Sequence, residues 1–242
     1  MIKLIIDIGN SYTKTGFFDK SNIIDDDCIE NNDESKIINI VKKHQIKQTI
    51  ISSVNKNQEN IIKKIIYPYA GKITVFNHQT KLPFVNCYET PETLGNDRLA
   101  AVAGAQLLFP DKNLLVIDAG TAITYDLMID NKFLGGNITP GLKMRLKALN
   151  YFTGSLPLVE IQEKNELPGK TTVSAISAGV LNGMIFEIEG FRDYYEKKIG
   201  KIITIISGGD LKYFVDFLKK PIFANSNLIL IGLNRILEYN EN

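Results

Sequence analysis

The sequence is poor in the residues that most metal and nucleophile chemistry requires. Only two histidines, His44 and His78, occur in 242 residues. A zinc site of the H-E-x-x-H kind is therefore impossible, and neither histidine stands beside a hydrolase nucleophile motif. Two cysteines, Cys28 and Cys87, permit one bridge at most and form no C-x-x-C pair. That excludes a disulfide scaffold and the common thiol-redox motifs. No apolar run approaches the ~18 residues of a membrane span. The first residues turn acidic at Asp7, too soon for a secretory signal, so a cytoplasmic protein with no membrane partner is expected. An excess of one charge is missing too: 28 Lys plus Arg stand against 27 Asp plus Glu, a net +1. No basic field is available to hold a nucleic-acid backbone. Arginine itself is scarce, four against 24 lysines, in a chain where Ile, Lys and Asn fill 81 positions. The bias reads as genome composition, yet it makes each arginine conspicuous.

What is present is an ordinary globular composition, 44% hydrophobic and 23% charged, long enough for one or two domains. Residues 2–8 form an apolar run stopped by Gly9-Asn10, and a β-rich run follows at 12–18; the pattern predicts a hairpin. The acids Asp25-Asp26-Asp27 and Asp33-Glu34 precede a helix-like segment at 35–44, and acids before a helix suit its dipole. That charge run reads as a structural, solvated feature. Further strands are expected at 48–54 and 73–76, separated by a helical pattern of Ile61, Ile62, Ile65 and Ile66. The second half then starts over. Residues 113–121 are again a buried strand ending in Asp-x-Gly and a small polar residue, and 121–129 return. The turns Asp7-Ile8-Gly9-Asn10-Ser11 and Asp118-Ala119-Gly120-Thr121-Ala122 lie 111 residues apart. Repetition at nearly half the chain predicts two α/β lobes, residues 1–112 and 113–242.

A single Asp-x-Gly turn is an ordinary hairpin feature; two copies at this spacing point to a ligand. Successive amides in such turns make an anion-binding concavity, and Asn10, Ser11, Thr13 and Thr121 add hydrogen-bonding groups. A strand-end Asp can hold a cation that bridges to phosphate. Pro168-Gly169-Lys170-Thr171-Thr172 imitates the end of a P-loop, but Lys164 stands where the earlier glycine is required. Residues 91–105 read as a turn leading into a small-residue helix, with Asp97 and Arg98 at its start. Asp97 there suits an N-cap or an anion-handling role. Arg98 is at the wrong helix end for a cation, in a chain that prefers lysine. A planar fork for a carboxylate explains it. Residues 135–142 carry dense Gly and Pro after a strand, and Met144, Leu146, Ala148 and Leu149 suggest a helix packed into the core. Ser207-Gly208-Gly209-Asp210 is a third strand-to-glycine turn, suited either to backbone contact with a base or ribose or to a simple helix N-terminus capped by Ser or Asp.

Taken together, these segments resemble the type III pantothenate kinases of the actin, sugar-kinase and heat-shock-chaperone ATPase superfamily. The family pattern D-x-G-N-[TS] stands as Asp7 to Ser11 with Lys14 following, and P-x-x-x-G-x-D-R as Pro91 to Arg98. D-x-G-T-A-x-T-x-D is Asp118 to Asp126; G-G-x-I-x-P-G is Gly135 to Gly141, followed by Ala148-Leu149 and Leu156-Pro157. The late T-G-G and G-L-N patterns appear as Ser207-Gly208-Gly209, with Ser for Thr, and Gly232-Leu233-Asn234.

The resemblance implies two related RNase H-like lobes, each a mixed β-sheet flanked by helices, with an ATP cleft between them. It implies ATP-dependent phosphorylation of pantothenate, the first step toward coenzyme A. Asp97 is then the general base, and Gly95, Asn96, Asp97 and Arg98 form the pantothenate loop, joined by Tyr88 and Thr172. Asp7, Ile8, Gly9, Asn10, Ser11, Tyr12, Thr13 and Lys14 match the first ATP loop and Thr121 the second. Asp118 matches the position that holds a monovalent cation, K+ or NH4+, beside the Mg2+ or other divalent ion that accompanies ATP. The family forms homodimers. Two other readings are a different small-molecule kinase on the same frame and a nucleotide-binding regulator that has lost turnover.

Overall fold

The computed structural model describes residues 1–31, 33–161 and 166–241. The chain divides into two compact units: Met1–Asp111 with Asn131–Phe133 and Asn227–Asn242, and Lys112–Asp130 with Leu134–Ser226.

In the first unit, β1 (Ile2–Ile8), β2 (Tyr12–Asp19) and β3 (Asn22–Glu30) form an antiparallel meander. β4 (Ile46–Ser53) and β5 (Lys72–Val75) then add in parallel, giving the order β3-β2-β1-β4-β5. Parallel neighbours need crossovers, supplied by α1 (Glu34–Val41) and α2 (Lys56–Ile66). Asp33 caps α1 by accepting from the Lys36 amide, and Asn55 caps α2 by accepting from the amides of Asn57 and Gln58. The apolar stripes Ile37, Ile40, Val41 and Ile62, Ile66 pack with Leu4, Ile6, Ile8, Phe17 and Ile51 into one core. The acids Asp25, Asp26 and Asp27 do not simply lead into a helix, as the sequence suggested; they lie inside β3. β3 is the sheet edge, where exposed charge discourages another strand from adding.

The helix expected after Pro91 is α3 (Asn96–Leu108). Every residue from Arg98 to Ala105 is buried, so it has no polar stripe. Its partner is α6 (Leu228–Tyr239), from the far end of the sequence. Thus Asn227–Asn242 groups with the first unit although it stands at the end of the second half of the chain.

The second sheet repeats the first. β7 (Leu114–Ala119) pairs antiparallel with β8 (Ala122–Ile129) and parallel with β10 (Ile203–Ser207), which pairs parallel with β11 (Phe223–Ala224). With β9 (Lys132–Pro140), the run β9-β8-β7-β10-β11 matches β3-β2-β1-β4-β5 strand for strand. A two-residue strand, β6 (Val85–Asn86), joins the start of β9 in parallel. α4 (Leu142–Phe152) and the long α5 (Thr172–Ile199) cover this sheet's core. α4 buries Leu142 and Leu146, whereas Met144 is exposed, so Met144 is not the core residue the sequence suggested. The 168–172 stretch leads into α5, where Thr171 and Ser174 form a capping box. Cys28 and Cys87 are both free and exposed. Among the described residues, no helix is long and apolar enough to cross a membrane.

Candidate active site

The repeat places the two Asp-x-Gly turns at equivalent points. In the first unit, β1 ends at Ile8 and the Gly9 amide donates to the Tyr12 carbonyl at 2.9 Å. In the second, the Gly120 amide donates to the Ala122 carbonyl at 3.0 Å. Asp7 sits in register with Lys14 on β2 and Ser52 on β4; Asp118 sits in register with Thr124 on β8 and Ser207 on β10. Residues in register share a sheet face, so each aspartate lies between a polar side chain on either neighbour. Asn10, Ser11 and Tyr12 are exposed at the first turn, and so is Thr121 at the second, whereas Ile8 and Thr13 are buried.

The segment ahead of α3 belongs to the first unit. Gly95 occupies the N-cap position without a side-chain cap, and Asp97 stands in the first turn. Asp97 is therefore not the N-cap. One of its carboxylate oxygens accepts from the Arg98 amide at 2.9 Å, at the helix end whose free amides favour an anion. Asn96 donates its side-chain amide to the Phe76 carbonyl at 3.0 Å, and the Phe76 amide donates to Ile51 on β4 at 2.8 Å. The loop is thereby anchored to the sheet that carries Asp7. Arg98 is buried, only 5% exposed, with its guanidinium carbon 5.5 Å from the Tyr88 ring centre. The structure thus brings Tyr88, Gly95, Asn96, Asp97 and Arg98 into one neighbourhood. Asp118, Thr121 and Thr172 belong to the second unit. There Asp118 and Thr121 share a turn, and Thr172 is exposed at the start of α5.

A model of the type III pantothenate kinase family matches residues 3–193. A type III pantothenate kinase of Phocaeicola vulgatus is 42% identical over 241 residues, covering 99% of each chain. The chain belongs to the type III pantothenate kinase family. A type III pantothenate kinase of Flavobacterium johnsoniae is 38% identical over 98% of this chain and 97% of its own. A Campylobacter jejuni structure assigned to the Baf family superposes with a TM-score of 0.64 at 23% identity over 99% of both chains. The Clostridium difficile activator of 2-hydroxyisocaproyl-CoA dehydratase, solved with bound ADPNP, gives 0.55 at 12% identity over 100% of this chain and 96% of its own. At such identities these structures speak for the shared two-sheet fold alone.

The kinase contains supporting residues that sequence patterns did not single out. Asn31, just after β3, donates its side-chain amide to the carbonyls of Gly9 at 2.9 Å and Asn10 at 3.1 Å. Its Oδ1 accepts from Thr13 at 2.8 Å, and its own amide donates to Ser11 at 3.1 Å. One asparagine thus gathers the turn's carbonyls on its own side. No motif spacing links positions 10 and 31; only β2–β3 pairing does.

The second turn is braced differently. Gly141 donates to the Thr121 carbonyl at 3.1 Å, and a Cβ at Gly141 would lie 2.1 Å from the Gly120 oxygen. Only glycine allows that approach. The segment before it is tied down by Glu187 on α5. That carboxylate accepts from Arg145 at 2.8 and 2.9 Å, Thr139 at 2.7 Å and Tyr125 at 2.8 Å. Burial works to raise the Glu187 pKa, but these hydrogen bonds outweigh it and hold the carboxyl below its ordinary value. Nearby in the chain, Asp210 donates its amide to Ala119 at 2.9 Å. Burial pushes its carboxyl upward, against Lys143 and Lys212.

Proposed function

We infer that the protein transfers a phosphoryl group from ATP to the primary hydroxyl of pantothenate, the first step of coenzyme A biosynthesis. The observation that carries this reading is Asp97-Arg98 at the start of a buried helix, with Tyr88 against the arginine. Phosphoryl transfer passes through a loose transition state, so positioning and charge neutralisation outweigh base strength. Asp97 orients the acceptor hydroxyl and takes its proton late, when that proton has become acidic. Arg98 takes the acceptor's carboxylate through two parallel N–H bonds. Gly95, Asn96, Tyr88 and Thr172 complete the acceptor site. The turn from Asp7 to Lys14 and Thr121 supply backbone amides and hydroxyls to ATP, which arrives as a complex with Mg2+ or another divalent ion.

Asp118 is the proposed holder of a monovalent cation, K+ or NH4+. The donor set supports it: Ser207 Oγ and Thr124 Oγ1, in register on either side, are buried without a hydrogen-bond partner among the described residues. A carboxylate and two hydroxyls suit a hard cation, which would supply positive charge near the phosphates. The functional unit is proposed as a homodimer in the cytoplasm; sedimentation in solution checks the dimer.

The direct test measures ATP consumption with pantothenate, with and without potassium. Turnover that depends on both is the expected result. Failure with pantothenate but success with another alcohol overturns the acceptor assignment. Two substitutions separate the halves of the site. Arg98→Lys keeps the charge but loses the fork; the pantothenate KM is expected to rise by about tenfold, on the order of one charge-assisted hydrogen bond. An unchanged KM counts against the carboxylate role. Asn31→Ala frees the first turn and is expected to raise the ATP KM by about tenfold, the scale of one or two net hydrogen bonds. The pantothenate KM should stay within about twofold; equal changes in both would assign Asn31 to general stability.

A further inference from the structure

Arg98 rests against two aromatic rings, not one. Its guanidinium carbon is 5.5 Å from the Tyr88 ring centre and 5.9 Å from that of Phe133. The rings themselves are 6.1 Å apart and stacked at 29°. The three groups make a nearly equilateral cluster within the first unit, inside the ~6 Å range of cation–π attraction. Phe133 is fully buried.

Its backbone also sets Tyr88. Asn131, in the left-handed region at φ 59°, opens β9, and Val85–Asn86 pair with Lys132 and Phe133. The Cys87 amide donates to the Phe133 carbonyl at 2.9 Å, and the Tyr88 amide donates to Asn86 Oδ1 at 3.0 Å. Phe133 therefore fixes where Tyr88 leaves β6 and presents its ring to both Tyr88 and Arg98.

We propose that Phe133 is a positioning residue that sets the kinase's selectivity for an acceptor ending in a carboxylate. The inference rests on the reading of Arg98 as the carboxylate's partner. A free arginine carries large rotamer freedom, and a bidentate contact needs its plane fixed. Held against two rings, the guanidinium gives up that freedom before the acceptor arrives, so less is lost on binding. A neutral acceptor gains little from a pre-set cation. Discrimination therefore depends on the rings as well as on the charge.

The test uses the full-length kinase with pantothenate and with its primary amide, in which the carboxylate is replaced by an uncharged carboxamide. Phe133→Leu keeps an apolar side chain and removes the ring. The pantothenate KM is expected to rise about threefold to tenfold, within the range a cation–π contact spans. kcat and the ATP KM should stay within about twofold. The kcat/KM preference for pantothenate over the amide should fall by the same factor as the KM rises. In an Arg98→Ala background, Phe133→Leu should leave that preference unchanged, since coupled residues lose their effect together. Phe133→Met is a second variant, with the same expectation, should the leucine protein fold poorly. An unaltered preference in a folded variant overturns the proposal, as does an equal rise in the ATP KM. The two readings fail separately. If Arg98→Lys leaves the pantothenate KM unchanged, the carboxylate reading falls; if that KM rises but Phe133→Leu changes nothing, only the positioning role falls.

Discussion

Asp97→Asn is expected to lower kcat by about 10²–10⁴, the usual range for losing a general base. The substitution is nearly isosteric. Asn can still accept from the Arg98 amide, as the Asp97 carboxylate does at 2.9 Å, so the first turn of α3 should keep its shape. What asparagine cannot do is take the acceptor's proton. The loss should therefore appear in kcat, with both KM values within about threefold. A group needed only in the transition state lowers kcat and kcat/KM together. Steady-state kinetics with each substrate varied in turn makes the check, and near-normal turnover would remove Asp97 from the role. The result also separates a kinase from a nucleotide-binding regulator. A regulator has no turnover for this substitution to abolish.

The second large effect is expected where two helices meet through glycine. Gly104 on α3 and Gly232 on α6 face each other. A Cβ on Gly232 would lie 1.7 Å from the Ala100 carbonyl oxygen and 2.8 Å from the Gly104 amide. A Cβ on Gly104 would lie 2.3 Å from the Leu228 carbonyl oxygen. These are backbone atoms, so no rotamer change relieves the clash and the helices must move apart. Gly232→Ala is expected to cost about 3–4 kcal/mol, at the upper end of overpacking effects. A fall in the urea midpoint at unchanged slope would record it. Gly190→Ala on α5 is the control. Nothing lies within 4 Å of its added Cβ, so helix propensity should leave the protein unchanged or about 0.5–1 kcal/mol more stable. Because α3 begins with Asn96-Asp97-Arg98, displacing it should also impair activity in any Gly232→Ala protein that folds. Equal stability of the two alanine variants would overturn the packing account.

Much of this protein was legible in its residues. Hairpins form where apolar runs meet Gly9-Asn10 and Gly120-Thr121, because turn chemistry and strand periodicity are local properties. Repetition of the Asp-x-Gly turn announced a duplicated α/β unit, and two sheets of matching order follow from it. The Asp97-Arg98 pair stood out because arginine is rare and sits at the unfavourable helix end. The late Gly232-Leu233-Asn234 pattern was visible too, but not its purpose. Gly232 admits the backbone of a helix more than a hundred residues earlier in the chain, and Asn234 donates to the Lys20 carbonyl at 3.0 Å.

Other features belong to the tertiary structure. The acids 25–27 look like a helix lead-in because charge carries no period; pairing with β2 makes them an edge strand. Asn31 is one of 22 asparagines, and only the return of β3 beside β2 carries it to the carbonyls of Gly9 and Asn10. Phe133 is one of 12 phenylalanines, set apart by a two-residue parallel pairing with β6. Residue type and short-range spacing can state which groups a reaction requires. Which residues hold those groups still depends on contacts between segments distant in sequence, and these exist only once the chain has closed its sheets and packed α6 against α3.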